Sequence, residues 1–312
     1  MNIFITGATG FVGHYLREAL KSPENTIWGT AYPDQPDEAS AGNIFHLDIR
    51  VEKDIFTRIK EVKPDWVFHL AAISKVRHSW EKRKETFETN IIGTFNLFEA
   101  LRKFAPKARI LFVSSSDVYG TKSSSEVPLK EGAKMHALNP YAYSKLSGEL
   151  LCEFYTSVEN LDIVIARSFP HTGPGQSSDF VCSDWAYQIA RIEKGVGKPE
   201  ISVGDISVNR DFTDVRDVVK AYVLLLEKGK RGEVYNVCSG KSYSLEKILD
   251  LLLSFSSRSI AVRVDSRKLR KTEIPFLVGD NTKIKCDLSW ESRIPLEQSL
   301  RELLEYWRAR VW

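Results

Sequence analysis

The glycine-rich turn close to the start of the chain restricts the possible folds more than any other feature. Residues Thr6–Gly13 read TGATGFVG; an apolar run at Asn2–Thr6 that predicts a strand precedes them, and an amphipathic stretch at Phe11–Lys21 that predicts a helix follows. Glycines at this spacing make a tight turn and let the backbone approach a pyrophosphate, while the free N–H groups of the helix N-terminus favour the phosphate charge. We therefore expect the turn to hold a dinucleotide at Gly7, Gly10, Phe11, Val12 and Gly13.

Short apolar runs and longer amphipathic stretches alternate along the first half of the chain. The apolar runs predict strands at Asn2–Thr6, Thr26–Thr30, Ile44–Leu47, Trp66–Leu70, Arg109–Ser114 and Asp162–Ser168. The amphipathic stretches predict helices at Phe11–Lys21, Val51–Val62, Trp80–Phe104 (with a break near Asn90) and Ala142–Ser157. Parallel strands joined through helices are covered on both faces and therefore lack a clean alternation of apolar and polar residues. The pattern predicts an α/β fold with a doubly wound, Rossmann-like parallel sheet.

After Arg167 the order of elements changes. A loop rich in glycine and proline at Pro170–Ser178 leads into helices and short strands in a less regular order. The predicted elements are helices at Phe180–Lys194, Val215–Lys228, Leu245–Phe255 and Pro295–Arg310, and strands at Ile201–Val203, Val234–Val237 and Ile260–Val264. We expect a dinucleotide-binding domain at 1–166 and a smaller α+β substrate-binding part at 167–312, with elements around 205–235 returning to the first domain.

The composition argues against several classes of protein. The chain has 312 residues, 43% of them hydrophobic, and a formal net charge of +3, which is typical of a folded globular protein and gives no general attraction to nucleic acid. No run approaches the roughly 18 apolar residues that a membrane span needs. Five basic residues between Arg263 and Lys271 leave a nucleic-acid surface as an alternative, although Asp265 and Glu273 dilute their charge.

The cysteines give no indication of a metal or redox site. Cys152, Cys182, Cys238 and Cys286 lie 30, 56 and 48 residues apart, and none of these spacings matches a metal-binding or redox motif. The N-terminus also lacks the basic segment, apolar core and cleavage site of a signal peptide. We expect four reduced thiols, no metal, no membrane contact and a cytoplasmic location.

The residues after the second predicted strand bear on the choice of cofactor. A carboxylate about 20 residues beyond the glycines binds a ribose 2′-hydroxyl, whereas an arginine there favours a 2′-phosphate. Asp34 lies 21 residues after the last glycine of the turn, and no lysine or arginine occurs between residues 22 and 49. This favours NAD(H) slightly over NADP(H). Both cofactors stay open, because the arginines at 17 and 50 can still reach across.

Tyr141 and Lys145 form the candidate catalytic pair. Their spacing of four puts them on one face of a predicted helix. A tyrosine pKa of about 10 must fall by about 3 units, or about 4 kcal/mol, for acid–base work near neutrality, and a lysine charge about 4 Å away at an effective dielectric constant of 20 supplies about 4 kcal/mol. Ser114–Ser116 stand at the carboxyl end of a strand, where ligands bind in such folds. The group predicts acid–base chemistry at a carbonyl or alcohol; an ordinary aromatic–basic helix pair is the alternative.

Five segments of the first half have the order and spacing of the extended short-chain dehydrogenase/reductase family. They are TGATGFVG at 6–13, HLDIR at 46–50, HLAA at 69–72, SSSDVYG at 114–120 and PYAYSK at 140–145. The chain therefore resembles this family. The resemblance implies that Ser115 is the active-site hydroxyl, that Tyr141 is the proton donor or acceptor, and that Lys145 binds the nicotinamide ribose and lowers the tyrosine pKa.

The same resemblance implies the rest of the cofactor site. Asp48 would contact the adenine, and Ala71 would line the cofactor. Together with Asp34 and the glycine turn, the implied cofactor-binding residues are Asp48, Ile49, Leu70, Ala71, Ala72, Asn90, Tyr141 and Lys145.

Segments of the second half resemble the GDP-sugar branch of the family. They are GPGQ at 173–176, DFV at 179–181, RDFTDVRD at 210–217, YNVCSG at 235–240 and LRKTEIP at 269–275. The likeness to the GDP-4-dehydro-6-deoxy-D-mannose reductases extends over nearly the whole chain. It implies that two arginines hold a diphosphate and that a glutamate holds a ribose, roles that suit a guanidinium fork and a carboxylate. The implied substrate-binding residues are Ser115, Phe180, Val181, Arg210, Arg270 and Glu273.

The resemblance implies hydride transfer from NAD(P)H to C4 of a GDP-4-keto-6-deoxyhexose, giving a GDP-6-deoxyhexose such as GDP-rhamnose. A GDP-mannose 4,6-dehydratase, or another NAD-dependent nucleotide-sugar epimerase or dehydratase, is the alternative, because Asp117 stands where dehydratases carry glutamate and joins the candidate catalytic residues. A non-catalytic nicotinamide-binding regulator is a second alternative. Relatives commonly dimerise through the helices that correspond to 80–104 and 142–157, so a homodimer is expected.

Overall fold

A seven-stranded parallel sheet forms the centre of the molecule. The computed structural model describes residues 1–33, 43–120, 125, 127–269 and 274–311. In spatial order the strands are β11 (Val234–Val237), β6 (Asp162–Ser168), β5 (Arg109–Ser115), β4 (Trp66–His69), β1 (Asn2–Thr6), β2 (Thr26–Ala31) and β3 (Ile44–His46). The chain runs outward from β1 in one direction and from β4 in the other, which places the switch point between these two strands. The predicted doubly wound sheet is confirmed, and its ligand site is expected at the carboxyl ends of β1 and β4.

Helices cover both faces of the sheet. One face packs against α1 (Phe11–Ala19) and α8 (Val215–Lys228). The other face packs against α2 (Glu52–Val62), α5 (Gly93–Phe104) and α6 (Pro140–Ser157). Burial of both faces explains why the strand residues are apolar without alternation.

The long helix predicted at Trp80–Phe104 is divided into several pieces. The structure has α3 (Val76–Glu81), α4 (Arg83–Phe87) and a π-helical turn (Glu88–Ile92) before α5 begins. The predicted break near Asn90 is confirmed. A π turn adds one residue to the helical ladder, and such turns often occur at functional sites.

The C-terminal part has a hydrophobic core of its own. It is built from α7 (Val181–Glu193), α9 (Leu245–Ser254), α11 (Leu296–Arg308) and a small sheet of β8 (Glu200–Val203) with β13 (Ala261–Val264). Two elements from this half of the sequence join the first part instead: β11 pairs with β6 in the central sheet, and α8 packs against that sheet. The domain boundary between 166 and 167 stays a prediction, and it falls inside β6.

Short elements connect the two parts. They are β7 (His171–Thr172), β9 (Asn209–Arg210), β10 (Thr213–Asp214), β12 (Tyr243–Ser244) and β14 (Phe276–Leu277). The short helix α10 (Thr282–Leu288) packs against α8 and β11 instead. Two-residue strands have no periodicity in sequence, so their pairing depends on the folded chain.

Two features are absent from the described residues: a membrane-spanning helix and a group of side chains suited to a metal ion. Among these residues, no helix combines the length and the apolar character needed to cross a membrane. Nor do three or more histidine, cysteine or acidic side chains in these parts of the chain form a group suited to a metal ion. Their four cysteines are free thiols.

Candidate active site

The glycine turn between β1 and α1 requires residues without side chains. Gly7 has φ +72, and a Cβ on it would lie 3.0 Å from the amide nitrogen of Ala71. A Cβ on Gly13 would lie 2.4 Å from the carbonyl oxygen of Gly7. The N-cap of α1 is Gly10, and no side chain caps the helix there. Phe11 and Val12 follow in its first turn, so backbone N–H groups are left for a ligand, as a pyrophosphate requires.

The loop after β4 adjoins this turn. The Ala71 N–H donates to Thr6 Oγ1 at 3.1 Å, and the Leu70 N–H donates to the Thr6 carbonyl at 3.2 Å. Ala72 follows in the same loop. The turn and the loop therefore form one cradle at the carboxyl ends of β1 and β4, which fits the two-phosphate centre of a dinucleotide.

Asp48 lies at the end of this cradle, after β3. It accepts hydrogen bonds from Arg50 Nε at 2.8 Å and 2.9 Å, and the Arg50 side chain also donates to Tyr32 Oη at 3.2 Å. Burial opposes ionisation of Asp48, but the Arg50 hydrogen bonds outweigh it and hold the pKa of the carboxylate below its usual range. Ile49 is buried against Gly93. Asp34 lies outside the described residues.

A chain of buried hydrogen bonds continues inward from the cradle. His69 Nδ1 lies 2.7 Å from Thr6 Oγ1, and His69 Nε2 lies 2.9 Å from Thr94 Oγ1. Because the Thr94 hydroxyl donates to the Asn90 carbonyl at 2.7 Å, the hydrogen on His69 belongs on Nε2. Burial, together with the Lys145 charge, lowers the pKa of His69 to about 3, which agrees with a neutral ring.

Asn90 joins this chain to the helix that carries the tyrosine. Its Oδ1 accepts from the Ile73 N–H at 2.8 Å, and its Nδ2 donates to Ser144 Oγ at 2.8 Å. The Ser144 hydroxyl in turn donates to the Tyr141 carbonyl at 2.7 Å. Asn90 therefore touches the loop after β4 and α6 together, whereas sequence reasoning placed it at the cofactor by resemblance alone.

The start of α6 sets the position of the tyrosine. Asn139 caps the helix by accepting from the Ala142 N–H at 2.8 Å, and Pro140 follows as its first residue. Both choices are typical of helix N-termini. Tyr141 thus lies in the first turn, and Ser115 at the end of β5 is close enough to its hydroxyl to lower the tyrosine pKa. Ser115 Oγ also accepts from the Asp117 N–H at 3.2 Å.

Lys145 follows one turn later on the same face of α6. It is buried, and its Nζ donates to the Val113 carbonyl at 2.8 Å. Burial lowers the pKa of Lys145 to about 8, although Cys152 and Glu149 act in the opposite direction. Ser115, Tyr141 and Lys145 are thus brought to one strand end, as the sequence predicts.

One electrostatic expectation is not met in this structure. The sequence argument had Lys145 lower the pKa of Tyr141; instead burial raises it, the Asp117 carboxylate raises it further, and the Ser115 hydrogen bond lowers it only in part. The physical reason is that desolvation disfavours the phenolate, while the Lys145 ammonium is engaged by the strand carbonyl.

Three of the predicted substrate residues, Phe180, Val181 and Arg210, follow β6 in the chain and lie outside the central sheet. Arg210 on β9 is buried, and its guanidinium donates to the carbonyls of Asn209 at 2.8 Å and Ile274 at 2.7 Å. Phe180 is the N-cap of α7, and Val181 is its first residue, packed against the C-terminal core. Arg270 and Glu273 lie outside the described residues.

The described basic residues of the segment considered for nucleic acid are paired with carboxylates. Arg263 lies 3.5 Å from Glu200, Arg267 lies 2.8 Å from Asp265, and Lys268 lies 2.7 Å from Asp184. These carboxylates reduce the net positive charge available to phosphates.

Sequence reasoning missed two features beside the site. One is the buried ion pair of Glu149 on α6 with Arg167 on β6. Glu149 continues the spacing of four from Tyr141 and Lys145, and that repeat was the available signal. The other is the Lys75–Asp179 ion pair, which joins the loop after β4 to the loop before α7. Its partners are 104 residues apart, so no local pattern indicates it.

Comparison with known proteins identifies the family of the chain. The family model for GDP-mannose 4,6 dehydratase matches residues 4–303. The chain is 35% identical to a GDP-6-deoxy-D-mannose reductase of Pseudomonas aeruginosa over 99% of this chain and 98% of that protein.

Solved structures of nucleotide-sugar enzymes are also similar to this chain. RMD from Pseudomonas aeruginosa complexed with NADPH is 33% identical, with a TM-score of 0.86 over 99% of both chains. A UDP-glucose 4-epimerase from Thermotoga maritima with UDP-glucose is 27% identical, with a TM-score of 0.89 over 99% of both chains. With the model match and the identity over almost its whole length, the chain belongs to the GDP-mannose 4,6 dehydratase family of extended short-chain dehydrogenases/reductases.

Proposed function

We propose that the protein is an NAD(P)H-dependent reductase that converts a GDP-4-keto-6-deoxyhexose into a GDP-6-deoxyhexose. The observation that carries the proposal is the meeting of Tyr141 and Ser115 at the end of β5, where the serine is close enough to lower the tyrosine pKa, with Lys145 one turn away on the same helix face. Two hydroxyls meeting in this way can hold one carbonyl oxygen between them. The identity to the Pseudomonas aeruginosa reductase supports the choice of substrate.

Tyr141 is suited to give a proton in the direction of reduction. When bound, the reduced nicotinamide would supply a hydride to C4 of the sugar. Because burial raises the pKa of Tyr141, its phenol keeps its proton at neutral pH. The phenol then donates that proton to the ketone oxygen, and the Ser115 hydroxyl hydrogen-bonds the same oxygen, oriented by the Asp117 N–H.

Lys145 supplies positive charge behind the tyrosine. Its pKa of about 8 keeps the ammonium mostly protonated at neutral pH. Because Lys145 does not lower the pKa of Tyr141 in this structure, its charge is assigned to the cofactor rather than to the phenol. We further propose, from the family resemblance, that Lys145 binds the nicotinamide ribose.

The substrate is bound, we propose, through its diphosphate by Arg210, whose guanidinium is oriented by two main-chain carbonyls. A planar guanidinium forms two hydrogen bonds with phosphate oxygens. Arg270 and Glu273 remain candidates for the diphosphate and a ribose.

A 4,6-dehydratase is the second candidate function. Such an enzyme removes a proton beside a new ketone and therefore needs a carboxylate near the reacting sugar. Asp117 is close enough to Tyr141 to raise its pKa, so a carboxylate stands beside the proposed catalytic hydroxyls. This observation favours the dehydratase over the non-catalytic regulator as the alternative.

One pair of incubations separates these functions. The protein is mixed with GDP-4-keto-6-deoxymannose and NADH or NADPH, and separately with GDP-mannose and the oxidised cofactors. We expect cofactor oxidation and a GDP-6-deoxyhexose in the first mixture alone. Loss of water from GDP-mannose in the second mixture would show that the protein is a dehydratase. If neither mixture reacted, the assignment as a GDP-sugar enzyme would be contradicted.

A homodimer is part of the proposal. Large apolar side chains are exposed on neighbouring helices, on α4, the π turn and α5 on one side and on α6 on the other. They are Phe87, Ile92, Phe95, Tyr143, Leu150, Phe154 and Val158. Such a patch marks an interface, and we propose that a second copy of the chain covers it. Sedimentation should give a dimer, and Leu150→Glu should give a monomer. A cytoplasmic location also stays a prediction.

A further inference from the structure

Three side chains of α6 contact the last three residues of β5. Tyr141, Lys145 and Glu149 are spaced by four, so they point from successive turns of one helix face. Tyr141 lies beside Ser115, which is close enough to lower its pKa, Lys145 donates to the carbonyl of Val113, and Glu149 accepts from the Ser114 hydroxyl. Each helix turn is thereby matched to its own residue at the end of β5.

Arg167 on β6 fixes the third of these contacts. Its Nε donates to Glu149 Oε1 at 2.9 Å, and a terminal nitrogen donates to Oε2 at 2.7 Å. The arginine is held in turn, because it donates to Tyr119 Oη at 3.0 Å and to the Glu131 carbonyl at 2.8 Å. With 4% of the arginine and 6% of the glutamate side chain exposed, this pair has almost no access to water.

Glu149 is the carboxylate that acts on Lys145. Of the other titratable groups around the ammonium, His69 on β4 is neutral because burial and Lys145 itself lower its pKa. Cys152 on α6 stays protonated because burial raises its pKa. Burial also raises the pKa of Tyr141, which keeps its proton. Glu149 therefore supplies the negative charge on this side of Lys145, and Arg167 offsets part of it.

We propose that Glu149 is a positioning residue for the reduction: it holds α6 in register against the end of β5 and keeps Lys145 charged. The inference rests on the proposed function, since Tyr141 and Lys145 are its catalytic residues. The proposal does not rest on any stability that the Glu149–Arg167 ion pair contributes, because a buried ion pair is weak evidence for stability.

The test measures the ionisation of Lys145 directly. In Glu149→Gln the side chain keeps its shape and loses its charge, and Arg167 is left uncompensated. By 15N NMR of labelled lysine, assigned with Lys145→Met, we expect the Lys145 pKa to fall by about one unit. The high-pH limb of the kcat profile should shift by the same amount, with little change in the KM for the sugar. An unshifted Lys145 titration in the folded variant would overturn the proposal.

A matched control separates this effect from a general loss of structure. Glu193 and Arg308 form a similar pair in the C-terminal part, with distances of 2.6 Å and 2.7 Å. Glu193→Gln should lower the melting temperature without moving the Lys145 titration. An equal shift in this control would show that Glu149 has no special role.

Two more variants keep the proposal testable if Glu149→Gln does not fold. Glu149→Asp restores the charge with a shorter side chain, so the Lys145 titration should return to within a few tenths of a unit of the wild-type value while kcat stays reduced. Ser114→Ala keeps the charge and removes the contact to β5, so kcat should fall several-fold at an unshifted pH profile. Wild-type kcat in Ser114→Ala would refute the register claim. The NMR titration needs no turnover, so it stands even if the sugar is not a substrate.

Discussion

The cofactor side and the substrate side of the proposed cleft are formed by different kinds of chemical group. The cofactor side consists of backbone and buried hydroxyl, imidazole and amide groups; Thr6, His69 and Thr94 have at most 1% of their surface exposed. The substrate side includes long charged side chains from loops, such as Asp179, which pairs with Lys75 in the loop after β4; the two side chains are 50% and 48% exposed. Buried polar groups must keep their partners, whereas exposed charges exchange theirs with water.

This difference predicts how each side tolerates change. A substitution on the cofactor side breaks a hydrogen-bond chain or a close backbone contact, so stability and cofactor affinity should fall together. A substitution of an exposed charge on the substrate side leaves the core intact, so it should change KM for the nucleotide sugar with little effect on stability. If variants on both sides changed stability, cofactor affinity and KM in the same way, this distinction between the two sides would be wrong.

The largest effect is expected where the two sides meet, at Tyr141. In Tyr141→Phe the proton donor is lost, so kcat should fall by about 10²- to 10⁴-fold. Cofactor affinity and melting temperature should stay close to wild type. Tyr143→Phe is the matched control, because Tyr143 lies two residues away and is exposed. Wild-type turnover by Tyr141→Phe would remove the tyrosine from the mechanism.

The next largest effect is expected in the glycine turn. In Gly13→Ala the new Cβ would lie 2.4 Å from the Gly7 carbonyl oxygen, a backbone contact that cannot relax without opening the turn. Overpacking of this kind costs about 1–3 kcal/mol, and NAD(P)H affinity should fall with it. Thermal unfolding and fluorescence titration measure the two effects. Gly132→Ala, where no atom lies within 4 Å of the new Cβ, should be neutral in both assays; equal losses would point to a general helix or loop effect instead.

The same contrast explains what the sequence can predict. The glycine turn is one continuous segment whose strand, turn and helix follow each other directly, so its local pattern is sufficient. Tyr141 and Lys145 lie on one helix, and their common face follows from their spacing. The partner of Lys145 is the Val113 carbonyl, 32 residues away, and no local rule identifies it. Nor does a local rule give the burial of Tyr141, which raises its pKa.

Longer-range features were beyond the pattern altogether. Glu149 and Arg167 meet because α6 packs on β5 and β6, and the two-residue strands around β9 form because distant loops come together. Each depends on tertiary packing that periodicity does not encode. The resemblance to a family identified Phe180, Val181 and Arg210 as candidate substrate-binding residues, but it predicted no hydrogen-bond geometry for them.

On the substrate side, Arg210→Lys should keep the charge and lose the planar fork. Charge-assisted hydrogen bonds are worth about 1.5–3 kcal/mol, so KM for the GDP-sugar should rise roughly 10- to 150-fold. Cofactor affinity should not change. Arg301→Lys, on the exposed face of α11, is the control and should leave KM unchanged. A matching loss of cofactor affinity in Arg210→Lys would contradict the division between the two sides.

On the cofactor side, Thr94→Val tests the buried chain through His69. The variant leaves His69 Nε2 without its acceptor at 2.9 Å, and an unsatisfied buried group costs about 1–3 kcal/mol. The melting temperature should fall, while KM for the sugar stays the same. Thr57→Val is closely matched, because the Thr57 hydroxyl also donates to a carbonyl four residues earlier, at 2.7 Å, but on an exposed helix face. Its effect should stay within about 0.5 kcal/mol.

The smallest effect is expected at the ion pair of Lys75 and Asp179, which joins the loop after β4 to the loop before α7. An exposed pair contributes about 0–1 kcal/mol, so Asp179→Asn should hardly change the melting temperature. It should release the Lys75 charge at an edge where an anionic nucleotide sugar is proposed to bind, and KM should fall about two- to threefold at low salt. That gain should disappear at roughly 0.5 M salt, where the screening length is only a few ångström. A clear loss of stability instead would mean that this pair belongs to the rigid construction of the cofactor side.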